Sequence, residues 1–147
     1  MEHSLRPASE ADKEWLDFLR REAYRDLFDA TWGGWDEARH RRHFSEFWEA
    51  GGISTVTVDG QAVGVVQLFD SEGTVEIGEI QVLPERQKGG LGTRILMDVI
   101  ERAKKEGKRA SLYLGLKNQG AFRLYERLGF EETGRSDTHI FMTHPCK

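Results

Sequence analysis

The chain has 147 residues, 38% of them hydrophobic, 31% charged and 10% aromatic, with a formal net charge of -4. That profile fits one soluble globular domain and excludes disordered, collagen-like and membrane-embedded classes. A single cysteine, Cys146, excludes an internal disulfide and suits a reducing, cytoplasmic compartment.

No stretch approaches the roughly 18 apolar residues of a membrane span, and the first twenty residues are polar and acidic rather than signal-like. The acidic net charge argues against a general nucleic-acid binder. Residues 1–85 carry 8 Lys/Arg against 18 Asp/Glu, a net of -10, whereas residues 86–147 carry 13 against 7, a net of +6. The charge changes sign at Arg86, where a glycine cluster begins. This asymmetry is either chance patchiness or a second half that meets an anion and a first half that meets a cation.

Residues 3–7 predict a short strand stopped by Pro7. Ser9-Glu10-Ala11-Asp12 reads as a helix N-cap with an acid three positions on. Trp15, Phe18, Leu19, Ala23 and Leu27 then fit one helical face that should end near Asp29. Gly33-Gly34 breaks the pattern, and a second helix opens near Asp36, carries Phe44, Phe47 and Trp48, and stops at Gly51-Gly52. The period then changes. Residues 53–58 are rich in β-branched side chains, Asp59-Gly60 is a hairpin turn, and residues 62–69 form a second strand. Ser71-Glu72-Gly73 turns the chain into a long strand over residues 74–83, closed by Pro84.

After the glycines, Ile95, Leu96, Val99, Ile100 and Ala103 make a helical stripe ending at Gly107. Residues 109–116 read as a strand. Asn118 caps a helix that carries Phe122, Leu124, Tyr125 and Leu128 and stops at Gly129. Residues 130–135 and 139–143 form a closing strand pair. The order is β-α-α-β-β-β-α-β-α-β-β, with no repeat, low-complexity run or linker. It predicts a single α/β domain over residues 1–147, with a mixed, mostly antiparallel central sheet flanked by helices.

The sharpest feature is a strand, a proline, a glycine-rich loop and a helix: Ile80-Gln81-Val82-Leu83-Pro84-Glu85-Arg86-Gln87-Lys88-Gly89-Gly90-Leu91-Gly92-Thr93. A helix N-terminus leaves N–H groups unpaired and carries a partial positive charge, and glycines let a ligand approach that backbone closely. Arg86, Lys88 and Arg94 add cationic charge. A Walker loop would need Gly-Lys-Ser/Thr after its last glycine, but Leu91 and Thr93 stand here. A dinucleotide fingerprint would need a glycine where Ile95 stands, and an early βαβ unit rather than an antiparallel meander. A helix cap with no ligand stays open.

Gln87-Lys88-Gly89-Gly90-Leu91-Gly92 fits the pattern Gln/Arg-x-x-Gly-x-Gly, with Val82 and Pro84 just before it. Asn118-Gln119-Gly120-Ala121-Phe122-Arg123-Leu124-Tyr125-Glu126-Arg127-Leu128-Gly129-Phe130 matches Asn-x-x-Ala-x-x-Leu-Tyr-x-x-x-Gly-Phe without a gap. On these two motifs the sequence resembles the GCN5-related N-acetyltransferase (GNAT) superfamily. Element order extends the likeness over nearly the whole chain, loosely over the first 50 residues.

The resemblance implies an acetyltransferase using acetyl-coenzyme A as cosubstrate and no metal. The cofactor would lie against Gln81, Val82, Gln87, Lys88, Gly89, Gly90, Leu91, Gly92, Thr93, Asn118, Ala121 and Tyr125. Tyr125 would be the acid that protonates the leaving thiolate, and a backbone N–H near Gln81 or Val82 would polarise the thioester carbonyl. Glu76, Glu79 or a water chain would deprotonate the amine. Strand alternation puts Glu76 and Glu79 on opposite faces unless a bulge intervenes.

Acceptor choice would fall to the segment between the first two helices. There Trp32, Trp35 and Glu37 suit a cationic amine, small or on a protein, by cation–π contact and a carboxylate. Alternatively both Trp pack under the loop and Asp36 only caps the second helix. His40-Arg41-Arg42-His43 lacks zinc-ligand spacing and reads as a solvated face. His139 and His144 read as surface residues, and Cys146 lies in a fraying tail. The expected function is N-acetyl transfer from acetyl-coenzyme A to a primary amine in a ternary complex. The alternatives are a non-catalytic acyl-coenzyme A-binding module of the same fold, or a nucleotide-binding regulator. Neither nucleic acid nor membrane is an expected partner, and pairing of sheet edges leaves a homodimer open.

Overall fold

The computed structural model describes residues 2–146, with the side chains of Leu27, Thr31, Trp32 and Lys88 outside the described set. The elements run β1 (His3–Pro7), α1 (Lys13–Trp32), α2 (Glu37–Ala50), β2 (Ile53–Val58), β3 (Gln61–Ser71), β4 (Thr74–Val82), α3 (Leu91–Lys105), β5 (Arg109–Gly115), α4 (Gln119–Arg127), β6 (Glu131–Arg135) and β7 (His139–His144). This is the order expected from the sequence. Two 3-10 turns, Glu10–Asp12 and Pro84–Gly89, precede α1 and α3. The strands follow the order β1-β2-β3-β4-β5-β7-β6. The β4–β5 pair is parallel, Thr74–Glu76 against Arg109–Ser111, while β1–β2, β2–β3, β5–β7 and β6–β7 are antiparallel.

Local chemistry accounts for the boundaries. The Ser9–Asp12 capping box forms, with the Ser9 N–H donating to Asp12 Oδ2 at 2.8 Å. The helix that follows runs to Trp32 rather than Asp29. Its stop is the left-handed residue Gly33, whose N–H returns to the Asp29 carbonyl. Asp36 caps α2 by accepting from the Arg39 N–H at 3.0 Å.

The chain forms two compact units. The first comprises the residues up to Gln67 together with Glu79–Gly92; the second comprises Leu68–Gly78 and the residues from Thr93 onward. In the first unit, Leu16, Leu19, Phe44, Phe47 and Val65 form a buried cluster, flanked by Ala8, Trp15, Trp48, Ile53 and Leu83. Each large side chain so buried contributes about 1.5–3 kcal/mol. In the second unit, Val75, Ile95, Leu96, Val99, Ala110, Leu112, Phe130 and Met142 are buried. Val75, Ala110, Leu112 and Met142 alternate with more exposed neighbours, as strands with one covered face require.

Several details of the sequence reading change. Phe18, read onto the inward face of α1, is 48% exposed, and Leu16 is the residue buried on that face. His40 is not solvated: it is 2% exposed, and its Nε2 lies 2.6 Å from Asp17 Oδ1. It precedes Phe44 by one helical turn and so shares that residue's inward face. His144 is half-buried, its ring edge-on to Phe130 and its Nε2 3.0 Å from the Leu128 carbonyl. Cys146 is buried rather than frayed, with its N–H donating to His144 Nδ1 at 2.9 Å.

Candidate functional site

In the first unit the end of β4 leads into the glycine-rich turn. Residues 84–89 form a 3-10 turn, Gly90 takes a left-handed φ of 77°, and Leu91, Gly92 and Thr93 open α3. A side chain at position 90 would be strained, so the switch from 3-10 to α geometry calls for glycine there. The Gln87 side chain is not free: its Nε2 donates to the Val82 carbonyl at 3.1 Å, tying the turn to the end of the strand. A Cβ added at Gly89 or Gly92 would meet nothing within 4 Å, so neither glycine is dictated by packing. The glycines thus leave side-chain space unfilled beside the N-terminus of α3, the end where a helix is electropositive.

Residues 78–81 of β4 are all half-buried, and the buried positions change parity, from Val75 and Ile77 to Val82. Simple alternation is thus lost along the stretch where Gln81 and Val82 sit. Gly64 of β3 accommodates this backbone. A Cβ on it would lie 2.6 Å from the Gln81 carbonyl oxygen and 3.4 Å from Val82 Cα.

Glu76 and Glu79 have different surroundings. Glu76 is exposed. Glu79 is half-buried, and its Oε2 accepts from Arg20 Nη1 of α1 and from Gln81 Nε2 at 3.4 Å. Burial pushes the Glu79 carboxyl above the ordinary carboxylate range, and Arg20 offsets only part of that. Nothing in the sequence reading singled out Arg20. The available signal was its place one turn after Leu16 on the apolar stripe of α1.

The acceptor-side candidates are engaged with protein. The Trp35 ring stacks on Phe28 with centroids 4.5 Å apart, and its Nε1 donates to Glu37 Oε1 at 3.0 Å. Glu37 accepts from Arg21 through both carboxylate oxygens, at 2.6 and 2.7 Å, and from Arg41 at 2.9 Å. Arg21, Trp35 and Arg41 hold the Glu37 carboxyl far below the usual carboxylate range. Arg21 also reaches Asp17 at 2.8 Å, so α1 and α2 share one ion-pair network. The Trp32 side chain lies outside the described residues.

In the second unit, Asn118 caps α4, its Oδ1 accepting from the Ala121 N–H at 3.2 Å. Tyr125 is half-buried with its ring 5.9 Å from that of Phe130, and burial raises its phenol. Gly129 ends this segment at φ 103°, where a Cβ would fall 2.7 Å from His144 Nε2. Among the described residues, no group of three or more His, Cys, Asp or Glu could hold a metal, and no helix is long and apolar enough to cross a membrane.

Three comparisons bear on this arrangement. A family model described as the acetyltransferase (GNAT) family matches residues 16–130. An uncharacterized N-acetyltransferase of Methanocaldococcus jannaschii is 38% identical over 89 residues, 55% of this chain and 39% of that protein, so the chain spans well under half of this relative. An uncharacterized N-acetyltransferase of Archaeoglobus fulgidus is 29% identical over 126 residues, covering 78% of this chain and 86% of that one. The crystal structure of PaiA N-acetyltransferase from Thermoplasma acidophilum in complex with coenzyme A is similar with a TM-score of 0.78 at 19% identity, covering 98% of this chain and 99% of that one. At that identity the likeness establishes the fold.

Proposed function

Because the chain belongs to the acetyltransferase (GNAT) family, we propose that it moves the acetyl group of acetyl-coenzyme A to a primary amine by direct attack. One observation carries this reading. The Gln87–Gly92 motif folds as a tight turn into a helix, and Gly89 and Gly92 border open space there instead of packing. The pyrophosphate would rest on the backbone N–H groups of residues 87–93, with Lys88 contributing charge. Val82 and Gln81 would lie along the acyl arm, and Asn118 and Ala121 would join the cofactor contacts as in the family motif.

Glu79 is the proposed base. Its partial burial raises its carboxyl and so makes it a better proton acceptor near neutral pH, whereas Glu76 is exposed on the strand. The acceptor ammonium gives a proton to Glu79, and the freed nitrogen attacks the thioester carbonyl carbon. A backbone N–H near Gln81 or Val82 supports the oxyanion. The carbon–sulfur bond then breaks, the departing sulfur takes the proton of the Tyr125 hydroxyl, and the proton still carried by the acylated nitrogen returns to the phenolate, leaving a neutral amide and a free thiol. On the acceptor side, Trp32, Trp35 and Glu37 belong to the segment proposed to select the amine. Trp35 and Glu37 do so by holding the shape of that segment, since Glu37 is bound to Arg21 and Arg41.

Competitive thermal shift tests the cofactor assignment. Coenzyme A at 100 times its Kd should stabilise the fold by about 2.7 kcal/mol, raising Tm by about 5–10 °C. A larger shift with ATP or NAD would overturn the assignment.

A further inference from the structure

A guanidinium inside an apolar cluster is costly unless it is paired and stacked. Arg20 is 4% exposed, and its guanidinium carbon lies 4.7 Å from the Phe47 ring centroid and 5.1 Å from that of Tyr24. The partner it reaches is Glu79, 59 positions away, whose side chain keeps 23% of its surface. The pair is thus closed at the arginine end and open at the carboxylate end. Both hydrogen bonds to Glu79 fall on Oε2, from Arg20 and from Gln81. Two neighbouring atoms are buried without a hydrogen bond, Arg20 Nε and Gln81 Oε1. A pair retained only for stability would be replaced at little loss by apolar side chains of similar volume.

We propose that Arg20 is a positioning residue for Glu79: from the core it fixes Oε2 and leaves Oε1 to receive the proton of the acceptor amine. This rests on the reading of Glu79 as the base. Among the described residues, Tyr24 on α1, His43 on α2 and Gln81 on β4 interact with one or other member of the pair, and Glu46, Arg39 and Arg42 act on His43. Burial lowers His43, and the Arg20 charge lowers it further.

The test compares the full chain with Arg20→Gln and Arg20→Lys. The Glu79 carboxyl is followed by carbon-13 NMR, assigned with Glu79→Gln. Acetyl transfer is followed by thiol release with a panel of primary amines. In Arg20→Gln, the Glu79 midpoint should rise by about one to three pH units. The acid limb of kcat/KM should rise with it, so that activity is lost at higher pH than in the parent. Arg20→Lys keeps the charge but loses the planar guanidinium set between the Phe47 and Tyr24 rings that aims Nη1 at Oε2, so it should hold the midpoint near that of the parent while lowering kcat. This variant carries the test if Arg20→Gln fails to fold.

An acid limb that stays in place while the NMR midpoint moves would make the pair structural and overturn the proposal. So would an Arg20→Lys protein with full kcat. No thiol release by the parent with any amine would instead overturn the acetyl-transfer reading itself, whatever the carboxyl titration shows.

Discussion

Replacing Gly92 with alanine separates ligand approach from packing, because the two roles give effects of opposite sign. Gly92 is the second residue of α3, and an added Cβ meets nothing within 4 Å. With no clash, the folded state tolerates the methyl group and the unfolded chain loses freedom. The expected gain is about 0.4–1 kcal/mol. For a chain of this size each kcal/mol moves Tm by about 2–4 °C, so the variant should melt about 1–4 °C higher. If the backbone at position 92 is where the pyrophosphate rests, the same methyl group stands in its way. Coenzyme A affinity should then fall at least about tenfold, equivalent to ~1.4 kcal/mol. Gly92→Val enlarges that loss. Differential scanning fluorimetry and isothermal titration with coenzyme A read the two quantities on one preparation. A stabilised protein that binds coenzyme A as tightly as the parent would refute the reasoning.

Tyr125→Phe should lower kcat by about 10²-fold or more with little change in Tm, as expected for loss of a general acid whose hydroxyl is perturbed by burial alone; an unchanged kcat removes Tyr125 from the reaction. Gly64→Ala should place a methyl group 2.6 Å from the Gln81 carbonyl and push the end of β4 aside. Overpacking of this kind costs about 1–3 kcal/mol, and displacing the Gln81–Val82 backbone should lower kcat together with Tm; an unchanged Tm contradicts the close approach of β3 and β4. The Glu37 carboxyl is held low by Arg21, Trp35 and Arg41. For Asp17, burial raises the carboxyl, but hydrogen bonds from Arg21 and His40 more than offset it. Groups lowered on folding add stability above the ordinary carboxylate range and lose it as pH falls below about 4. Melting curves against pH should therefore decline on the acid side, and Glu37→Gln should flatten that decline; identical profiles would show the network to be energetically idle.

Much of the fold could be read from local chemistry. Asp59-Gly60 marks the β2–β3 hairpin, Ser9 and Asp12 the approach to α1, and Asn118 the start of α4, because each acts on its own backbone within a few residues. The glycine-rich turn was legible for the same reason. Arg20 and Glu79 were not legible as a pair, since 59 residues separate them and only packing brings them together. Nor did the bare alternation of β4 hold, because Gly64 lets the chain shift its inward face before Val82. His40 was misread from its arginine neighbours in sequence. A helix sorts residues by turn, and the turn that buries Phe44 also buries His40.

The account rests on a backbone turn that holds an acyl thioester while an amine attacks it. The most direct measurement is thiol release from acetyl-coenzyme A by the purified chain, with and without a panel of primary amines, product mass being read in parallel. The account predicts thiol release that depends on an amine and yields that amine heavier by one acetyl group. Saturable binding of acetyl-coenzyme A without amine-dependent release would contradict it and leave a protein that holds the thioester but does not spend it.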